Sequence, residues 1–237
     1  MNFRLLENIG RMPLSRHFCF RQFLYSEIAV AFGIRNIPDD IELAVQAGTR
    51  LCEDVLEPIV TLFGPIIIRS GYRCAALNDF GFRHRLRCAS NEKNFAAHIW
   101  DKRDANGHIG ATACIVIPEA TERYTADQTD DLAWFLHERL PYHRMTFFRQ
   151  HACLNIGWHE APRREIFSYW PKPHWVVRDN DPFAGNHRGA AHHGITEQQI
   201  SSADPAQVPG VSKLSPGANS FPGLQLPVGP AITGSDA

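Results

Sequence analysis

The sequence lacks several features that would each indicate a class of protein. No apolar run approaches the roughly 20 residues that a membrane-spanning helix requires. The N-terminal stretch MNFRLLENIGRMPL lacks the continuous apolar segment of a secretory signal. The six cysteines include no Cys-x-x-Cys pair, which argues against a finger-type or ribbon-type zinc site. Charge of one sign is missing as well, since the formal net charge is −1, and this argues against a nucleic-acid partner.

Together these absences predict a cytoplasmic protein without a membrane span. Six cysteines without an export signal are expected to be reduced thiols, because the cytosol does not sustain disulfides. The oligomeric state stays open at this point. Histidine, by contrast, is abundant, with 12 residues in a chain of 237, and this abundance points towards metal chemistry.

The composition of the chain changes near residue 179. The last 59 residues, 179–237, contain 8 Gly and 7 Pro and show no periodic apolar pattern. Such a stretch buries too little apolar surface to offset the entropy of ordering it, so we expect a disordered tail. The folded domain is predicted to cover residues 1–178.

The first half of this domain is predicted to be mainly helical. Residues 20–33 suit a helix that stops at Gly33, and residues 41–63 carry apolar side chains at helical spacing. Pro58 is expected to kink or restart the second helix, because proline removes a backbone donor and clashes with the preceding turn. A short buried strand is predicted over residues 65–68.

Strand patterns concentrate in the second half. Residues 111–118 have the β-branched, apolar character of a central strand. A helix is predicted in DQTDDLAWFLHERL, and three further strands are predicted in MTFFR, CLNIGWHE and REIFSYW. Helices followed by a late cluster of strands indicate an α+β fold, with N-terminal helices packed on a small, mostly antiparallel sheet.

Six short phrases carry a resemblance to a known family. They are His17-Phe18, Gln22-Phe23, Gly33-Ile34 with Asn36 and Pro38, Leu56 to Ile59, Ser70 to Arg73, and Leu77-Asn78. In order and spacing they resemble the zinc D-Ala-D-Ala carboxypeptidase family, which also contains phage peptidoglycan endopeptidases. The resemblance covers roughly residues 14–160 and implies a carboxypeptidase-like fold.

The resemblance also implies zinc-dependent hydrolysis of peptidoglycan-type peptides. In that chemistry three protein ligands hold zinc, an open fourth position holds the attacking water, and a carboxylate takes its proton. Arg73 is the residue that the resemblance assigns to the terminal carboxylate of the substrate. Tyr72 and Ser70, in the same Ser-Gly-Tyr-Arg phrase, are predicted to line the substrate site beside it.

The metal motif departs from the family's pattern. The strict Ser-x-His-x-x-Gly-x-Ala-x-Asp phrase is missing, but a looser alignment takes His98 as the first ligand, with an insertion before Gly110. Cys114 then replaces the aspartate ligand, and His159 is the predicted ligand on the closing strand. Two imidazoles and one thiolate are a chemically acceptable zinc set, so this alignment predicts zinc as the cofactor.

The general base has no clear candidate. Three residues before His159, where the family carries a carboxylate, stands Ile156, which cannot accept a proton. Glu160 is adjacent, but neighbouring residues of a strand face opposite sides of the sheet, which leaves Asp101, Asp104 and Glu165 as carboxylates that could reach the site. The base is therefore unassigned, and His108 is open between a surface residue and an alternative ligand.

Each of these residues also has a purely structural explanation. His98 and Cys114 suit buried core positions, and Arg73 and Tyr72 suit residues that pack and hydrogen-bond a turn. The basic run over residues 83–87 suits either a solvated loop or a surface that attracts an anionic polymer.

Two classes of function follow. The first is a zinc metallopeptidase, either a carboxypeptidase or an endopeptidase, that cleaves D-amino-acid peptides of peptidoglycan. The second is a non-catalytic binding or scaffold module that keeps the fold, such as a phage or prophage accessory protein. A peptidoglycan substrate lies outside the membrane, so the first function would require a phage release system to export the chain.

Overall fold

A computed structural model describes residues 3–124, 128–148 and 153–178. The predicted boundary at residue 179 and the predicted disordered tail, 179–237, lie outside the described residues. Within the described ranges, no helix is both long and apolar enough to cross a membrane.

Among the described residues, five α-helices precede the first strand and four of the six strands follow the last helix, in an α+β arrangement. The helices are α1 (Phe3–Arg11), α2 (Arg21–Leu24), α3 (Glu27–Phe32), α4 (Ile41–Leu51), α5 (Glu57–Phe63), α6 (Ala75–Arg83), α7 (Asn91–Asn94), α8 (Pro118–Arg123) and α9 (Thr129–Arg139), with a π-helical segment, Cys52–Leu56, between α4 and α5. The strands are β1 (Ile67–Ser70), β2 (Gly110–Val116), β3 (Arg144–Phe147), β4 (Cys153–His159), β5 (Glu165–Ser168) and β6 (His174–Val177).

The strands form one six-stranded sheet with the order β1-β2-β4-β3-β5-β6. Four of the five neighbouring pairs are antiparallel, and only β3 and β5 run parallel. The α+β prediction with a mostly antiparallel sheet is therefore confirmed, whereas the carboxypeptidase-like identity of the fold stays a prediction.

The predicted helix over residues 41–63 is interrupted where proline predicts it. The Asp40 carboxylate caps its start by accepting the Leu43 amide at 3.0 Å. The π-helical segment lies directly before Pro58, and the amide of Glu57 bonds to the carbonyl of Cys52, five residues back. Gly64 ends α5 with a positive φ of 79°, a conformation that favours glycine.

Two local predictions need correction. The strand expected over residues 65–68 starts later, at Ile67, and it lies at an edge of the sheet, where Ile67 is 56% exposed rather than buried. The single helix expected over residues 20–33 is two short helices, because the Ser26 hydroxyl caps a new start by accepting the Ala29 amide. The predicted stop at Gly33, which has a φ of 65°, is confirmed.

Side chains alternate between two unlike faces of the sheet. Ala111, Ala113 and Ile156 point into the hydrophobic core, where α4 packs against β2 and β4. On the opposite face Thr112 and Asn155 line an open cavity. The candidate site therefore lies on the face of the sheet that the core helices leave uncovered.

Residues of the six phrases form hydrogen bonds between segments that are distant in the chain. The Glu57 carboxylate accepts hydrogen bonds from the Ser15 hydroxyl at 2.6 Å and from the His17 amide at 2.8 Å, and its second oxygen lies 2.6 Å from His17 Nδ1. These bonds join the N-terminal loop to the start of α5. Burial alone would raise the pKa of Glu57, but the hydrogen bonds from Ser15 and His17 lower it below its usual value.

We predict that Glu57→Gln destabilises the protein in a pH-dependent way. Because the folded-state pKa of Glu57 is depressed, its stabilisation is present above the unfolded pKa, near 4.3, and is lost as the pH falls through the folded pKa. The variant should lose about 1–2 kcal/mol of unfolding free energy at neutral pH and show a weaker decline at acidic pH. Urea denaturation followed by circular dichroism measures both.

The matched control is Glu53→Gln, which replaces an exposed glutamate of the neighbouring π-helical segment. It should leave stability within about 0.5 kcal/mol of the parent. Equal losses of unfolding free energy in the two variants would contradict the role of Glu57 in joining the N-terminal loop to α5.

Candidate functional site

The cavity on the open face of the sheet has a volume of about 370 Å³. Thr112, Thr146 and Asn155 form its floor on β2, β3 and β4, and α7 with the following loop forms one wall. His98, from that loop, and His159, from the end of β4, both line the cavity. The sequence therefore selected two residues of one cavity through the looser alignment.

His98 is held in one tautomer by the backbone. Its Nδ1–H donates to the carbonyl of Gly71 at 3.0 Å, and its own carbonyl accepts the Arg73 amide at 2.8 Å. Burial, reinforced by the Arg73 guanidinium, lowers the pKa of His98 to about 3. The imidazole is therefore neutral near pH 7, and its Nε2 lies 3.5 Å from the Asn155 amide nitrogen.

His159 has a different set of partners. Its Nε2 lies 3.3 Å from an Asp104 carboxylate oxygen, and its Nδ1 accepts the Ala161 amide at 3.0 Å. The ring stacks on His143, with centroids 4.5 Å apart, and meets the edge of His108 at 5.6 Å. Both ring nitrogens of His159 are therefore engaged within the protein.

Cys114 lies on β2 at a distance from Gly110, the residue that is paired with His159. Its thiol is beside Cys153 and the Arg69 guanidinium, and burial raises its pKa to about 12. Strand register explains the distance from His159, which is paired with Gly110, four residues before Cys114. At about 3.4 Å per residue, Gly110 and Cys114 are about 14 Å apart along β2.

The residues predicted to bind zinc do not fit a metal ion in this arrangement. His98 faces Asn155, His159 pairs with Asp104, and Cys114 contacts Cys153. Across residues 3–124, 128–148 and 153–178, no group of three His, Cys, Asp or Glu side chains is placed to hold a metal. No catalytic step through zinc follows from this geometry.

Ile156, Glu160 and Asp101, the three positions considered first for a general base, each have a structural role. Ile156 is fully buried in the core on the far face of the sheet. A Glu160 carboxylate oxygen accepts the Ile109 amide at 2.8 Å, and Asp101, which is 2% exposed, accepts the Asp39 amide at 2.8 Å. None of these three residues lines the cavity, whereas Asp104, another candidate carboxylate, does, and its carboxylate lies 3.3 Å from His159 Nε2.

The predicted substrate-binding phrase, Ser70 to Arg73, contributes to the cavity through its backbone and not through its side chains. Tyr72 is fully buried against Trp100, and the Arg73 guanidinium donates to the Cys88 sulfur at 2.7 Å. Ser70 is the last residue of β1. Their side chains do not line the cavity, and the backbone of this turn anchors His98 instead.

Sequence reasoning missed most of the polar residues of the cavity, among them Asn155 and His143. Asn155 precedes His159 by four residues in β4, so strand alternation places both on one face and would have revealed it. His143 accepts the Arg163 amide at Nδ1, so its neutral ring carries the proton on Nε2. Burial and the neighbouring His159 lower the pKa of His143 to about 3, and it too is neutral near pH 7.

The rim of the cavity carries charged side chains of both signs. Lys93, Arg163 and the exposed carboxylate of Glu92 line it without an ion-pair partner among the described residues, whereas Arg144 is bound to Glu165 at 2.6 Å. The Asp104 carboxylate, the acidic group nearest the histidines, already accepts the backbone amides of Asn106 and His108. Lys93 and Arg163 are therefore the rim groups available to a negative group of a ligand, beside the carboxylates of Glu92 and Asp104.

Comparison with known proteins adds no assignment, since no family model, curated protein or solved structure matches the chain. The resemblance to zinc D-Ala-D-Ala carboxypeptidases rests on the six phrases, and its functional meaning is a proposal. The chemistry of the site is accordingly argued from the cavity itself.

We predict that His98 makes the protein less stable as the pH falls from about 7 to about 5. The folded-state pKa of His98 is far below the unfolded value near 6.5. In this pH range its imidazole therefore becomes protonated in the unfolded chain but stays neutral in the folded protein. In His98→Gln this decline in unfolding free energy should shrink by roughly 1–2 kcal/mol. Urea titrations at both pH values measure it.

The matched control is Gln46→Ala, at an exposed position of α4 that carries no titratable group. Its decline with pH should equal that of the parent. An unchanged decline in His98→Gln would mean that the imidazole is not held neutral in the folded state.

Proposed function

We propose that the chain is a binding module for short anionic peptides of the peptidoglycan type, with a carboxypeptidase-like fold and without turnover. The observation that carries this proposal is a polar cavity with neutral His98 and His143 rings inside it and two cations without an ion-pair partner among the described residues, Lys93 and Arg163, at its rim. The class of peptide comes from the resemblance of the six phrases.

The cavity offers complementary partners for such a ligand. Lys93 and Arg163 suit a terminal carboxylate, and arginine in particular binds a carboxylate through two parallel N–H donors. The His143 Nε2–H and the Asn155 side-chain amide suit peptide carbonyl oxygens. A volume of about 370 Å³ lies within the range of small-ligand sites.

The absence of turnover in this proposal rests on the surroundings of the candidate catalytic groups. His159 already uses both ring nitrogens, and Asp101 and Glu160 cap backbone amides. Peptide hydrolysis by zinc-bound water requires a metal held by protein ligands and a proton acceptor next to it. The zinc metallopeptidase is the competing hypothesis.

We predict that the full chain binds a stem pentapeptide ending in D-Ala-D-Ala, as measured by isothermal titration calorimetry. Arg163→Gln should weaken binding by about fivefold, as expected for an exposed charge pair, and added salt should weaken it further. Asn155→Ala should weaken it by about tenfold through the lost hydrogen bond.

Arg35→Gln, an exposed arginine outside both the cavity and the basic run, is the matched control and should bind like the parent. Loss of affinity in all three variants alike, or no binding by the parent, would sink the binding proposal. Release of D-Ala from the pentapeptide in the presence of zinc, followed by chromatography, would instead establish the peptidase.

A further inference from the structure

Four aromatic side chains form a continuous strip near the β6 edge of the sheet. We call Phe148, Phe167, Tyr169 and Trp175 the aromatic strip. Phe148 stacks on Tyr169 with centroids 5.7 Å apart, and Phe167 makes edge-to-face contacts with Tyr169 at 5.0 Å and Trp175 at 5.1 Å. Edge-to-face packing holds the rings in fixed relative orientations.

The aromatic strip lies on the same face of the sheet as the cavity. Thr146, which lines the cavity, is paired with Phe167 in the parallel β3–β5 register, and directly paired residues share a face. Phe167 is in turn paired with Trp175 of β6. The open face therefore runs from a polar cavity to an aromatic strip.

Two rings of the strip are presented to solvent beside a groove. Tyr169 is 47% exposed and Trp175 is 42% exposed. The groove, of about 600 Å³, is lined by Phe167 and Trp175 together with Pro173, His174 and Arg178. The Arg178 guanidinium lies 5.4 Å from the Trp175 ring and has no ion-pair partner among the described residues.

The size of the strip argues against a stable protein interface. A buried aromatic side chain contributes about 150–250 Å², so two half-exposed rings offer on the order of 200 Å². A stable protein–protein interface needs about 800 Å² on each partner. A small and rigid partner, which loses little entropy on binding, suits this surface better.

From these observations we infer that the aromatic strip binds a carbohydrate chain. A pyranose ring has an apolar C–H face that stacks on an aromatic ring, and its hydroxyl groups accept hydrogen bonds from a neighbouring guanidinium. Tyr169 and Trp175 supply the rings, and Arg178 supplies the donor. This activity is separate from peptide binding in the cavity.

The test uses the full chain and two soluble oligosaccharides, chitohexaose and cellohexaose, in NMR titrations. We expect dose-dependent shifts of amide resonances in β5 and β6. Binding of both probes identifies ring stacking as the common interaction, and binding of chitohexaose alone identifies a further contact to the acetamido groups. Either result supports the proposal.

Trp175→Ala should weaken oligosaccharide binding by about tenfold, and Trp175→Phe should largely retain it. Tyr25→Ala removes a ring that is 55% exposed outside the strip, and it serves as the matched control with unchanged affinity. If Trp175→Ala fails to fold, as judged by circular dichroism, Tyr169→Ala takes its place.

The proposal is overturned if neither oligosaccharide shifts the β5 and β6 resonances, or if Trp175→Ala and Tyr25→Ala bind equally well. Concentration-dependent dimerisation that Trp175→Ala abolishes would also overturn it, because the strip would then join two copies of the chain. Arg163→Gln should leave oligosaccharide affinity unchanged, so failure of the peptide proposal is distinguishable from failure of this one.

Discussion

The reciprocal hydrogen bonding between His98 and the Gly71–Arg73 turn is the constraint on which the cavity depends. The turn accepts a bond from the imidazole and donates one to the His98 carbonyl. Asn36 fixes the same turn by donating to the Tyr72 carbonyl and accepting the Cys74 amide. Gly71 is required there, because a Cβ atom would lie 2.8 Å from the Phe23 side chain. These contacts connect the N-terminal part of the chain to His98 in the wall of the cavity.

This anchoring decides the chemical character of the site. A histidine that is buried, bonded to a carbonyl and close to an arginine stays neutral. Its Nε2 can accept a hydrogen bond, but the ring carries no positive charge that would attract an anion. Attraction falls instead to Lys93 and Arg163 at the rim. The open face of the sheet thus carries two separate surfaces, the polar cavity and the aromatic strip, where Trp175 is exposed.

Much of the fold was predictable from local patterns, and the exceptions share a cause. The helix end at Gly33 and the interruption before Pro58 follow from backbone chemistry within a few residues. The exposure of Ile67 was not predictable, because it depends on β1 being an edge strand, which is a property of the whole sheet. β6 was missed for a related reason, since its pairing with β5 is what defines it.

The sequence by itself determined the α+β class and the approximate positions of the main helices and strands. Only the tertiary structure decided which side chains meet. Strand register sets Asn155 opposite Cys114 and His159 opposite Gly110, so the predicted ligands are separated along the strands. Register depends on hydrogen bonds between segments about 40 residues apart in the chain, and a one-residue change in it reassigns every facing side chain. Spacing along the chain predicts neighbours within an element, whereas contacts between elements depend on how those elements pair.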